Sequence, residues 1–227
     1  MRALFIATTV AGSALLFLVQ PMVARALLPH VGGVPAVWNT CSVFFQLALL
    51  AGYALAHGLP SRLGPRAHAA VHVGALLAAG LTLPYGFRAL PAAPAGDPTR
   101  WVLAALVTVV APTFVALATG APLLQRWWAR LGGDPAPLVA ASNVGSLAAL
   151  LAYPLALERW LPLAAQSRAF AAAWGVWLVG TAGCALAASR GGSAVAPAAV
   201  AVPRPVWLRH AAFAAVPAAQ MLGVTTH

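Results

Sequence analysis

Asn39, Gln46 and Tyr53 recur at seven-residue intervals along an otherwise apolar stretch. Seven residues is nearly two helical turns, so the three side chains share one face of a helix. An amide inside an apolar helix is costly unless it faces a protein interior or water. The spacing therefore predicts a polar stripe pointing into a bundle. Upstream, Gln20 and Arg25 stand in the run Gln20-Pro21-Met22-Val23-Ala24-Arg25, and Trp38 adjoins Asn39. Arg25 fits two chemistries: snorkelling to lipid headgroups, or holding an anionic group in an internal cavity. Further along, Ser142, Asn143, Gly145 and Ser146 make a small-residue face. Such a face suits close helix packing with an interhelical hydrogen bond of about 0.6–2 kcal/mol, or the lining of a substrate path. Glu158 is read as the one carboxylate adjoining an apolar segment. It is a partner for Arg25, Arg159 or Arg168, or a proton or cation site. The substrate-path candidates are thus Gln20, Arg25, Trp38, Asn39, Gln46, Tyr53, Asn143, Ser146 and Glu158.

Other chemistry-bearing residues are weaker. His68 and His72 stand at i and i+4 on one helical face, a geometry that can bind a metal. No third ligand accompanies them, so no metal site is expected. Cys41 and Cys184 form no CxxC and read as small buried apolar side chains. Neither a catalytic triad nor a glycine-rich nucleotide loop stands out, and no catalytic residue or cofactor is expected. Tryptophans such as Trp101, Trp127, Trp128, Trp160 and Trp207 fall mostly near segment ends, as in an interfacial aromatic belt.

The elements that must carry these residues follow from composition. The chain has 227 residues, 62% hydrophobic and 7% charged. Soluble domains carry about 25% charged residues, so an ordinary soluble globular protein is excluded. What remains is an all-α, polytopic helical membrane protein with the lipid bilayer as its first partner. The net charge of +10 does not indicate nucleic acid, because single arginines are scattered between apolar runs and no basic face forms. All 13 basic residues are Arg. With the abundant Ala, Gly and Pro, that points to a bacterial protein, and hence to the inner membrane.

Runs of about 20 apolar residues are long enough to span. Six appear, at 3–28, 36–56, 67–83, 101–124, 136–157 and 168–188, and an incomplete seventh at 206–227. The first continues past the length of a signal peptide and is read as a span. Pro- and Gly-rich stretches such as Pro29–Gly33 and Gly58–Arg62 read as the breaks between helices. The domains expected are a six-span bundle at 1–188, a cytoplasmic linker at 189–205 and the start of a further segment at 206–227. Because the chain stops inside an apolar segment, it reads as truncated. With the N-terminus inside, Arg2, Arg62, Arg66, Arg126, Arg130, Arg190, Arg204 and Arg209 face the cytoplasm. Arg25, Arg88, Arg100, Arg159 and Arg168 face outward. The larger cytoplasmic share favours a cytoplasmic N-terminus.

Residues 20–57 resemble the start of the bacterial fused major-facilitator/spermidine-synthase membrane proteins. Ala141-Ser142-Asn143-Val144-Gly145-Ser146, with Tyr153-Pro154, Glu158 and Gln166-Ser167, extends the likeness, as does Leu222-Gly223-Val224-Thr225-Thr226-His227. Residues 58–66 also resemble the basic loop between spans two and three of major-facilitator transporters, without its acidic residue. The resemblance implies a major-facilitator-like half-bundle. In full-length members, it also implies an aminopropyltransferase-like domain. With only Asp97, Asp134 and Glu158 as acids, these residues do not supply that catalytic half.

Three functions are therefore expected to compete. The first is a transporter-like module handling polyamines or a related small metabolite. The second is an anchor or substrate-delivery module for a catalytic domain, borne by the remainder of the protein or by a separate partner. The third is a structural assembly bundle whose polar residues only glue helices together.

Overall fold

The computed structural model describes residues 1–86, 92–93 and 96–190. Among these the chain is all-helical. The helices are α1 (Arg2–Val31), α2 (Pro35–Arg62), α3 (Pro65–Gly80), α4 (Thr99–Ala105), α5 (Ala111–Arg130), α6 (Ala136–Ala152), α7 (Glu158–Trp160) and α8 (Leu163–Arg190). A π-helical turn, Leu106–Val110, joins α4 to α5, and another, Tyr153–Leu157, joins α6 to α7. Five continuous helical stretches are long and apolar enough to cross a membrane: Arg2–Val31, Pro35–Gly58, Thr99–Arg130, Ala136–Trp160 and Leu163–Arg190. The chain thus has the build of a multi-pass membrane protein.

Each π turn sits at a proline. Pro112 and Pro154 lack the N–H that the α-helical ladder needs. The widened turn restores main-chain bonding: Ala111 N donates to Leu106 O, and Glu158 N donates to Tyr153 O. The ends carry other devices. Gly32 adopts φ 69°, and its N–H bonds Leu28 O at 2.9 Å, closing α1 in a conformation that favours glycine. Asp97 Oδ1 accepts from Thr99 N at 3.0 Å, and Asp134 Oδ1 accepts from Ala136 N at 3.0 Å. Glu158 lies in the first turn of α7. Asp97 and Asp134 therefore stand at helix starts, where the dipole favours negative charge, whereas Glu158 lies near the C-terminal end of the continuous stretch Ala136–Trp160. Glu158 is not the only acid next to an apolar helix, as the sequence suggested.

Several boundaries differ from the expected ones. Helix α1 runs through Pro21 and Pro29, and α2 continues to Arg62, so Gly58–Arg62 is helix, not a break. A proline near a helix end removes one donor without ending the helix when the preceding turn is already packed. Helix α3 stops at Gly80, short of the expected residue 83. Leu81 to Leu83 turn back, with Thr82 Oγ1 donating to Ala79 O at 2.8 Å, and Pro84 follows. At 16 residues, α3 is about 24 Å long, less than a hydrocarbon core of about 30 Å. Helix α8 runs to Arg190, two residues into the linker expected at 189–205. Arg88, the rest of that linker with Arg204, and the segment 206–227 with Trp207 and Arg209 lie outside the described residues.

Packing follows a definite pattern. Helix α1 lies on α6, α8 and α5; α2 lies on α5; α3 lies on α8 and α5. Neighbours in sequence, α1 with α2 and α2 with α3, touch little. Small residues set the closest approaches. A Cβ at Gly145 would meet the main-chain carbonyl of Val10, and one at Gly52 would meet Ala118 and the carbonyl of Val115. Between helices in lipid, such close backbone approach supplies the dispersion and hydrogen bonding that water-driven burial cannot. Ser13 and Ser142 hydroxyls meet at 2.7 Å across α1 and α6.

The core divides along the bundle axis. One cluster gathers Val23, Phe44, Phe45, Phe114, Trp174 and Trp177. A smaller one gathers Phe5, Ala56, Leu123, Trp127, Leu138 and Cys184. The second joins the N-terminal turns of α1 and α6 to the C-terminal parts of α2, α5 and α8. One end of the bundle therefore bears Arg2, Arg66, Arg126, Arg130 and Arg190, and the opposite end bears Arg25, Arg100, Arg159 and Arg168. Trp127 is buried in that core and is not a belt residue; its ring edge meets His68 and His72. Cys41 and Cys184 are free and buried, as small apolar side chains would be.

Candidate functional site

The buried side of α2 carries Val37, Cys41, Phe44, Phe45, Ala48 and Ala56 against the rest of the bundle. The stripe Asn39, Gln46 and Tyr53 lies off that side. Asn39 is half-buried, and Gln46 and Tyr53 are exposed. The stripe thus does not point into the described bundle, as the spacing had predicted; it runs along its surface. The physical reason is aromatic bulk. Phe44 and Phe45 must bury against Phe114, with Phe45–Phe114 centroids 4.9 Å apart. That contact turns the residues beside them outward.

Two of the sequence candidates meet in one place. Tyr53 and Asn143 border an open recess of about 490 Å³ between α2, α5 and α6, together with His57, Gln125, Arg126 and Ser142. The last four were not singled out as path residues. His57 was legible in principle, since it stands one turn after Tyr53 and its Nδ1 lies 2.8 Å from Tyr53 O. Gln125 and Arg126 gave no spacing signal of their own. On α6, Ser142 faces α1 through Ser13 while Asn143 is exposed to the recess. Ser146 is tied to its own helix, donating to Ser142 O at 2.9 Å. No carboxylate borders the recess among its described lining residues, so its one formal charge is the Arg126 guanidinium.

Arg25 and Glu158 lie elsewhere. Arg25 stands twelve residues beyond Ser13 on α1, about 18 Å along the axis. Its Nη1 donates to the main-chain carbonyls of Glu158, at 3.0 Å, and Leu161, at 3.5 Å. Gln166 Nε2 donates to Leu157 O at 3.1 Å and Leu161 O at 2.9 Å. Leu157 O also accepts from Leu161 N at 3.1 Å. Arg25 and Gln166 thus add side-chain donors to the carbonyls where α7 ends, a place that favours a cation. The bond expected between Arg25 and a carboxylate is instead a bond to a helix end. The Glu158 side chain is exposed. Trp38 Nε1 donates to Gly33 O at 3.3 Å and braces the turn before α2. Gln20 is half-buried on α1, outside the recess.

Among the described residues, no group of three or more His, Cys, Asp or Glu is placed to hold a metal ion. Chemically, the recess can offer hydrogen bonds from amide, phenol, imidazole and hydroxyl groups, and one positive charge. It holds no paired general acid and base. No family model, curated protein or solved structure matches the chain.

Proposed function

We propose that this chain is a transporter-like membrane module whose recess between α2, α5 and α6 forms part of a path for a small polar metabolite. One observation carries the reading. Take the stretches α1, α2, α3 as one unit and α4–α5, α6–α7, α8 as another. Exchanging them turns the α1·α6 contact into the α5·α2 contact and the α1·α8 contact into the α5·α3 contact, although α5·α8 has no comparable α1·α3 counterpart. The glycine contacts obey the same exchange: Gly145 of α6 on the Val10 carbonyl of α1, and Gly52 of α2 on the Val115 carbonyl of α5. With six alternating passes, α3 counted among them, the two units run in opposite senses. Such an arrangement supports reading the chain as a three-plus-three inverted repeat of the major-facilitator kind, whose substrate sites lie at repeat interfaces. The placement of the N-terminus and of the end rich in Arg126 and Arg130 in the cytoplasm of a bacterial cell belongs to this reading.

The exposed stripe of Gln46 and Tyr53 then lines a path completed by a facing bundle, from further chain or from a second copy. The resemblance supplies polyamines as candidate cargo, and an aminopropyltransferase-like domain as the consumer. The recess chemistry favours a different charge. A polycation in a low-dielectric site wants carboxylates, whereas Arg126 with Gln125, Asn143 and Tyr53 suits a neutral or anionic metabolite.

Uptake into bacterial cells expressing the chain tests this. Labelled spermidine and labelled anionic metabolites would be compared, with protein amount measured in the membrane. Loss of one uptake activity by more than about tenfold in both Asn143→Ala and Arg126→Gln, at unchanged protein level, is the expected result. Uptake indifferent to both substitutions removes the recess from the path.

A further inference from the structure

A second cavity, separate from the polar recess, lies on the other side of α5. It measures about 480 Å³ and opens between α2 and α3, with α5 as its floor. That volume is in the range of ligand pockets. Its walls are aliphatic, including Leu55, Val71, Leu76 and Leu123, and polar groups gather at His68 and His72. Two threonines also border it, and both hydroxyls are already spent: Thr82 donates to Ala79 O and Thr119 to Ala116 O.

The histidines are not spent. His68 is 1% exposed and His72 6%. Both ring nitrogens of His68, and Nε2 of His72, are buried without a hydrogen-bond partner. An unsatisfied buried polar group costs about 1–3 kcal/mol. Other side chains here, Trp177 and Thr181 among them, are also unsatisfied, but His68 and His72 are the ones that border this cavity. The two rings lie nearly parallel, 11° apart in plane with centroids 6.3 Å apart, and Trp127 stands steeply to both, 6.1 Å from His68 and 5.7 Å from His72. The guanidiniums of Arg126 and Arg130 are within electrostatic reach of His68.

We propose that this cavity binds a single-chain amphiphile from the bilayer, a long-chain fatty acid, with its carboxylate at His68 and His72 and its chain along the α2–α3 gap. A carboxylate accepts from both imidazoles at once and is the head group that the neighbouring arginines favour. The gap admits a chain sideways from lipid, since α2 and α3 barely touch and Leu55 and Val71 at its mouth are exposed. The inference does not rest on the transport reading.

The full chain in phosphatidylcholine nanodiscs, labelled with palmitic acid bearing a mid-chain diazirine and mapped by mass spectrometry, tests it. Crosslinks are expected on α3 and α5 around the cavity, displaced by palmitate about tenfold more effectively than by hexadecanol. Val71→Trp should block the mouth and abolish these crosslinks. Because Val71 is 48% exposed, the bulk lies outside the packed core. The double variant His68→Leu, His72→Leu keeps the apolar slot; it should retain labelling but lose the preference for palmitate over hexadecanol. Crosslinks spread over lipid-facing positions such as Leu47, Leu147 and Val176 would overturn the site. Equal displacement by hexadecanol in the unmodified chain would overturn the carboxylate.

Discussion

Arg25 donates to the main-chain carbonyl of Glu158 at 3.0 Å, and the same Nη1 reaches Leu161 O. The guanidinium therefore acts on a helix terminus, and the Glu158 carboxylate is incidental to it. A hydrogen bond to a charged group is worth about 1.5–3 kcal/mol net. Arg25→Ala should lower thermal stability in detergent by that order, while Glu158→Gln should leave it unchanged. A cost for Glu158→Gln equal to that of Arg25→Ala would restore the ion-pair reading that the sequence suggested.

Glycine contacts make a second test. Gly145 and Gly52 face main-chain carbonyls, those of Val10 and Val115, which cannot swing away as a flexible side chain can. Alanine at either position forces α1 from α6, or α2 from α5. Overpacking of this kind costs about 1–3 kcal/mol. Gly74 and Gly175 have nothing within 4 Å of an added Cβ. Alanine there should be neutral or slightly stabilising, because it reduces the freedom of the unfolded chain. The melting midpoints of the four variants decide the matter, and similar losses at all four would refute the packing argument.

Much of this architecture was legible in the sequence, for stated reasons. Apolar runs of span length gave the helices, and scattered single arginines marked their ends. The small-residue run Ser142–Ser146 announced a tight interface, and Gly145 and Ser142 do face α1. What failed was the direction of the α2 stripe. Periodicity places Asn39, Gln46 and Tyr53 on one face but does not say which face is buried. The aromatic pair Phe44 and Phe45 decides that through its contact with Phe114, a residue distant in sequence. His68 and His72 were placed on one face correctly, yet their missing partners depend on Trp127 and the α2–α3 gap, which only the packing reveals. Gln125 and Arg126 entered the recess because the end of α5 lies beside α2 and α6, which no local pattern encodes.

The start of α4 should respond to acid. Asp97 Oδ1 accepts from Thr99 N at 3.0 Å and from Thr99 Oγ1 at 2.6 Å. These bonds, the hydroxyl first, hold its carboxyl below the ordinary 3.8. A carboxyl depressed in the folded chain adds stability that is fully present above the unfolded value. That stability is lost as pH falls through the lower folded value. Protection of the first-turn amides of α4 from hydrogen exchange, taken against the intrinsic rate at each pH, should therefore hold down to about pH 4 and fall below it. In Asp97→Asn the same amides should exchange at a rate that does not change across that window, apart from intrinsic chemistry. An unmodified chain that shows no acid limb would refute the link.

Water access separates a path from a lipid-facing surface. In a chain whose buried Cys41 and Cys184 are replaced by Ala, single cysteines report on their surroundings. Gln46 and Leu47 are adjacent and both exposed, as are Asn143 and Val144, yet successive helical residues point about 100° apart. If the stripe lines an aqueous path, Gln46→Cys, Tyr53→Cys and Asn143→Cys react quickly with a charged, membrane-impermeant thiol reagent. Leu47→Cys and Val144→Cys, turned to lipid, react slowly, because the thiolate that reacts needs water. A substrate that occupies the recess slows Tyr53→Cys and Asn143→Cys and leaves Gln46→Cys less affected, since only the first two border that space. Uniform slow labelling at all five positions would mean that the amides face a dry helix interface, and the structural-assembly function would then displace the transport reading.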